Sequence, residues 1–183
     1  MLKIGLSIMS NDCSQSGFTL LEVLITLIVL SVGLLGLAGL QTMSLRNNHD
    51  AYLRSQAIIQ AYDLVDRMRA NSGAVSAYIK SGTDIVGTEN VACDTTAGCT
   101  SAAMALHDLF KWNQANQTLL PEGIGIACRD STIDDGSYAA GVVTTGCTNQ
   151  PADPLVVKIW WLDDRTNDQP APSHLSVLVG DQL

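Results

Sequence analysis

Between Phe18 and Leu40 the sequence reads FTLLEVLITLIVLSVGLLGLAGL, and Glu22 is the one side chain in that run able to ionise. A carboxylate inside a membrane-spanning helix costs about 2.5–3.5 kcal/mol on insertion scales, so it demands a cation or a role. The other reactive residue types lie outside the run. Of the five cysteines, Cys13 precedes it and Cys93, Cys99, Cys128 and Cys147 follow it. His49, His107 and His174 have no ligand-like spacing, which leaves surface or interface positions for them. Asp130, Asp134 and Asp135-Gly136 lack the alternating order of a calcium loop, so a solvated acidic turn is expected there. Asp163-Asp164-Arg165-Thr166-Asn167-Asp168 is expected to reverse the chain. No Ser/His/Asp or Cys/His set, phosphate loop or convincing carboxylate pair is present, and the expectation is a protein without catalysis, metal or cofactor.

The elements around these residues follow from periodicity. The apolar run is long enough to cross a hydrocarbon layer about 30 Å thick. Beyond it Leu53, Ala57, Ala61, Leu64 and Met68 recur at helical spacing, with Ile58 and Val65 beside them. Asn47, Arg54, Gln60, Asp63 and Arg67 are expected on the remaining surface, with Asp50–Arg54 and Asp63–Arg67 as i,i+4 pairs. One helix of about fifty residues, ending near Asn71-Ser72-Gly73, is predicted. A second helix is predicted from Ser101 as N-cap to about Gln117, burying Met104, Leu106, Leu109 and Phe110. Strands are predicted over Gly123–Arg129, Tyr138–Thr145, Leu155–Leu162 and Leu175–Val179, rich in Val and Ile and bounded by Gly, Pro, Asp or Asn. The resulting fold is α+β, a four-stranded antiparallel sheet packed on the amphipathic half of the long helix. Leu155, Val157, Ile159 and Trp161 share one face of the third strand. Trp160 and Trp161 point to opposite faces, so one belongs to the core and the other is a candidate subunit contact.

Composition sets the outer bounds. The 183 residues suffice for one domain plus an anchor. Net charge is −8 and the ten basic residues are scattered, which excludes the basic face needed for nucleic acid and keeps an exposed domain soluble. Lys3 and Arg46 flank the run and give little positive-inside bias.

The junction Gly17-Phe18-Thr19-Leu20-Leu21-Glu22 resembles the type IV prepilin motif. That resemblance implies cleavage after Gly17 by a membrane prepilin peptidase, N-methylation of Phe18, and a leader of residues 1–17. The leader is less basic than most in the family, and Met9 is an alternative start. Cleavage creates an α-amine with a reference pKa near 8. Four residues of helix rise put it about 6 Å from Glu22 along the axis. The resemblance implies that Glu22 pairs with the Phe18 amine of a neighbouring subunit; an acid placed at a helix N-terminus for its dipole alone is the simpler alternative. Gly33, Gly36 and Gly39 serve either close helix packing or a stretch that unwinds in a filament.

LSVGLLGLAGLQ, AYLRSQA at 51–57, DLVDRMRAN at 63–71 and HDLFKWN at 107–113 look like PilV-type minor pilins. The implied organisation is a transmembrane helix half at 18–40, an amphipathic half at 41–72, and a periplasmic αβ-loop and sheet headgroup at 73–183. The implied role is priming of type IV pilus assembly and incorporation into the pilus, with twitching motility and adhesion. Implied partners are the major pilin, other minor pilins, the prepilin peptidase, the inner-membrane assembly platform and membrane lipid. A minor pseudopilin of a type II secretion system and a membrane-tethered adhesin are the alternatives. In an oxidising compartment the four later cysteines read as two disulfides, paired locally as Cys93–Cys99 and Cys128–Cys147, although four cysteines allow three connectivities. A zinc site wants closer Cys pairs or nearby His.

Overall fold

The computed structural model describes residues 17–81, 85–139, 142–162 and 172–179. Two units divide at Arg46/Asn47, and helix α1 (Leu20–Ala70) contributes to both. In the first unit the side chains from Gly17 to Arg46 are exposed, and α1 is long and apolar enough there to cross a membrane.

In the second unit α1 changes character. Leu53, Ala57, Gln60, Ala61, Leu64, Val65 and Met68 are buried along one stripe. Ile58, expected beside that stripe, is exposed, whereas Gln60, expected on the polar surface, is buried. A 3-10 turn (Ser72–Ala74) and a single helical turn, α2 (Val75–Tyr78), carry the chain past the end of α1. Helix α3 runs Ser101–Leu119, and its N-cap is Thr100 rather than Ser101, with the Thr100 hydroxyl accepting from the Ala103 N–H. Its buried face is Ala105, His107, Leu109, Trp112, Asn113 and Asn116. Of the four residues expected there only Leu109 is fully buried, while Met104, Leu106 and Phe110 are half-buried. Trp112 explains the rotation. Its indole reaches α1 by donating to the Gln60 carbonyl at 2.7 Å, and its ring lies where a Cβ on Gly125 would come within 2.3 Å. Only glycine leaves room for that ring beside the sheet.

Strands β1 (Ile124–Arg129), β4 (Leu155–Leu162) and β5 (Pro172–Leu178) form an antiparallel sheet in the order β1-β4-β5. The expected four-stranded sheet is therefore three-stranded. The segment predicted as one strand over Tyr138–Thr145 is instead a hairpin, β2 (Ser137–Ala139) against β3 (Val142–Thr144), in a sheet of its own. The physical reason lies in β4, buried on both faces from Leu155 to Trp161. Leu155, Val157, Ile159 and Trp161 pack with α1 and α3, while Val156 and Trp160 join Ile126, Cys128, Ile85 and Tyr138 of β2 in a second apolar cluster. A second apolar face needs its own cover, and the hairpin supplies it. Trp160 and Trp161 are both buried, so neither is the exposed subunit contact expected of one of them. The turn expected over Asp163–Asp168 lies outside the described residues.

Candidate functional site

Gly17, Phe18 and Thr19 precede the helix, and the Gly17–Phe18 peptide lies in non-helical, exposed backbone. Thr19 begins the cap: its carbonyl accepts from the N–H groups of Glu22 at 3.1 Å and Val23 at 3.3 Å, and its hydroxyl accepts from Glu22 N–H at 3.3 Å. Thr19-Leu20-Leu21-Glu22 thus has the order of a capping box, with Glu22 at the third helical position. Phe18 precedes the helix, next to the Thr19 cap. Glu22 itself sits in the first turn, where the positive end of the helix dipole favours a carboxylate. Phe18 is 82% exposed, free for a surface outside this chain.

Gly33, Gly36 and Gly39 are helical, and a Cβ at any of them would meet nothing within 4 Å. Among the described residues their small size therefore serves no contact.

The headgroup is held by covalent and ionic ties. Cys93 is joined to Cys99, and Cys128 at the end of β1 to Cys147 beyond β3. Arg67 of α1 bonds Asp63 at 2.9 Å and Asp108 of α3 at 3.0 Å. Burial lowers the Arg67 pKa, but the hydrogen bonds and charges of Asp63 and Asp108 outweigh this and raise it overall. The Tyr78 hydroxyl donates to the same Asp108 at 2.5 Å, and burial together with that carboxylate pushes its pKa far up. Arg67, Asn71, Ser101, Met104 and Asp108 line a shallow cleft of about 410 Å³ beside Cys99.

His107, expected at a surface or interface, is buried. Its Nδ1 accepts from the Asn90 N–H at 3.1 Å, which places the ring proton on Nε2, 3.1 Å from Asp94 Oδ1. That hydrogen bond holds the Asp94 carboxyl below the usual range. The histidine thus pins the loop carrying Cys93.

The acidic turn is the larger departure. Asp130, expected in a solvated turn, is fully buried against Lys158 of β4, itself fully buried. Lys158 Nζ also lies 2.6 Å from Asp135 Oδ1, 3.3 Å from the Asp135 carbonyl and 3.1 Å from the Thr145 carbonyl. The Lys158 ammonium holds the Asp135 carboxyl below its ordinary value. Sequence reasoning missed Lys158; its one signal was a lone cation between Val157 and Ile159 in an otherwise apolar strand. Among the described residues no group of three His, Cys, Asp or Glu is placed to hold a metal ion.

Comparison with known families converges on the first helix. Residues 13–38 match the prokaryotic N-terminal methylation motif, and residues 39–110 match the type IV pilin Tt1218 family. No curated protein and no solved structure matches the chain. The two matches abut and together run through the cap, the apolar half of α1, its striped half and the start of α3. The chain belongs to the type IV pilins.

Proposed function

We propose that this pilin is a minor, PilV-type subunit that primes pilus assembly and travels into the fibre without catalysing a reaction. The observation that carries the reading is Glu22, a lone acid at the capped start of a helix half that is otherwise apolar and exposed on every side. A helix of that kind is stable only in lipid or against other apolar helices. Prepilin peptidase cuts between Gly17 and Phe18 and the new Phe18 amine is methylated. The anchor then crosses the inner membrane once, with the headgroup in the periplasm, where its disulfides form. On assembly the cationic Phe18 terminus of one subunit meets Glu22 of the next. This offsets the cost of a carboxylate in an apolar bundle and selects one axial register. Major pilin, other minor pilins and the assembly platform are the partners, and twitching and adhesion are the outputs of the finished fibre.

The test is sequencing of the mature N-terminus from the native host, followed by immunoblots of sheared fibres and membranes. The expected terminus is N-methylated Phe18, with the chain present in fibres only when the major pilin is made. Glu22→Ala should be inserted and cleaved normally but reach fibres poorly. A retained leader, or normal incorporation of Glu22→Ala, would overturn the mechanism.

A further inference from the structure

Lys158 and Asp130 present an amine and a carboxyl in direct contact, both fully buried. Lys158 stands opposite Ile126 in the sheet, on the face that carries Val156, Trp160, Ile126, Cys128 and Tyr138. Asp135 completes a triad, with Oδ1 at 2.6 Å from the amine and its carboxyl within hydrogen-bonding reach of Asp130. Thr132 fixes both acids, donating its N–H to Asp130 Oδ1 at 3.2 Å and its hydroxyl to Asp135 Oδ2 at 2.8 Å. Gly146, at φ +71°, has no side chain to displace Asp135; a Cβ there would lie 2.1 Å from Oδ1. Two carbonyls, from Asp135 and Thr145, orient the amine.

One ammonium among two carboxylates is a charge arrangement that burial penalises by several kcal/mol per ion. Proton transfer from Lys158 to Asp130 removes one charge of each sign and leaves a neutral amine against a carboxylic acid. From the same geometry we propose that Lys158 and Asp130 condense to an intramolecular isopeptide bond. The Lys158 nitrogen attacks Asp130 Cγ, and Asp135 takes the proton the nitrogen sheds. Asp135 returns a proton to the departing hydroxyl, so one C–N bond forms, one C–O bond breaks and one water leaves. No oxidant, reductant or cofactor enters. Condensation is unfavourable between free groups in water, but fixed neighbours have effective molarities of about 10⁵–10⁸ M, and apolar walls keep the product from hydrolysis. The bond would tie β4 to the end of β1, close to Cys128–Cys147, adding a third covalent tie to the two disulfides.

The experiment is peptide mapping of the full-length chain extracted in detergent from its membranes, with the Cys128–Cys147 disulfide confirmed before reduction as evidence of folding. After combined tryptic and chymotryptic digestion, which cuts after Tyr138 between the two residues, the expected product is a branched peptide joining the Asp130 and Lys158 segments, lighter than their sum by one water, with no tryptic cut after Lys158. Lys158→Arg should abolish the branch. In pulse-labelled chains Asp135→Asn should slow its appearance about 100-fold or more, the usual scale for loss of a general acid–base group. Separate, unmodified peptides from folded wild-type chain would overturn the proposal and leave a plain buried ion pair. A branch formed at the wild-type rate in Asp135→Asn would overturn the role of Asp135.

Discussion

The two halves of α1 are one continuous helix and meet opposite fates. Leu20 is 83% exposed and Leu30 61%, whereas Leu64, Ala61 and Met68 are at 0%. Hydrophobic content and its distribution around the helix both distinguish them: Glu22 is the one ionisable residue of the first run, whereas Asp50, Arg54, Asp63, Asp66, Arg67 and Arg69 interrupt the second. The first half is apolar on all sides and cannot turn any of them to water, so its partner must be lipid or other helices. The second half confines its apolar residues to one stripe, and Ala57 and Ala61 within that stripe let other elements approach closely. Anchor chemistry and core chemistry thus follow each other along one element. The comparison breaks if a substitution in one half behaves as though it sat in the other.

The largest effect is expected at Trp112, which is fully buried, donates to Gln60 and fills the space above Gly125. Trp112→Ala should destabilise the headgroup by about 3–5 kcal/mol. It is measured by denaturant unfolding of the full chain in detergent, followed through Trp160 and Trp161. Leu30→Ala should leave the same transition unmoved. Equal losses from both would show that the two halves share one core.

Next come the disulfides. Replacing Cys128 and Cys147 by Ser opens a loop with a sequence separation of 19, and replacing Cys93 and Cys99 one of 6. Loop-closure entropy predicts losses of about 3 and about 2 kcal/mol. Thermal unfolding of the two double variants should show that order, with both effects confined to the second unit. If the isopeptide bond is present, the Cys128/Cys147 loss shrinks, because the neighbouring strand ends are already tied.

A smaller effect appears in alkali. Tyr138 donates to Glu122 at 2.7 Å, and burial, reinforced by that carboxylate, pushes its pKa up to about 12. The unfolded value is near 10. The folded chain therefore holds this proton more tightly, and the associated stability is complete below pH 10 and falls as pH rises towards 12. Tyr78 shifts in the same direction. Denaturant midpoints taken between pH 9 and pH 12 should fall less steeply in Tyr138→Phe than in wild type; parallel curves would remove Tyr138 from the account.

How legible this was from sequence depends on the kind of signal. The junction at Gly17–Glu22 and the stripe from Leu53 to Met68 are local patterns, and the helix follows them closely. In α3 the residues 105, 109, 112 and 116 also form a helical stripe, but Asn113 and Asn116 read as surface and Trp112 as one aromatic among several. The rotation became clear only with Gly125 on a distant strand. The hairpin in place of a fourth strand reflects a tertiary demand, the second apolar face of β4. The Lys158 cluster was the least legible. Alternation placed Lys158 opposite Val157 and Ile159, but nothing local announces that Asp130 and Asp135 return to it across the sheet. Sequence spacing alone makes an acidic turn look solvated, because it carries no record of the cation that fills it.

The smallest effect on stability belongs to the glycines of the first half, where structure and function are expected to part. At Gly33, Gly36 and Gly39 an added methyl group would have no neighbour within 4 Å among the described residues, and none of the three has a positive φ, so Ala fits each without strain. Each replacement should stiffen the helix by about 1 kcal/mol through propensity alone, leaving headgroup unfolding unchanged. Incorporation into fibres is the discriminating readout. If these glycines keep the helix ready to unwind in the filament, Gly36→Ala should lower incorporation and the triple variant should lower it further. If they serve close packing of neighbouring helices instead, Ala should be tolerated better than Leu at the same positions, because packing is sensitive to volume and unwinding to propensity. Equal incorporation of wild type, Ala and Leu variants would remove both roles and leave the first half of α1 as a plain apolar anchor.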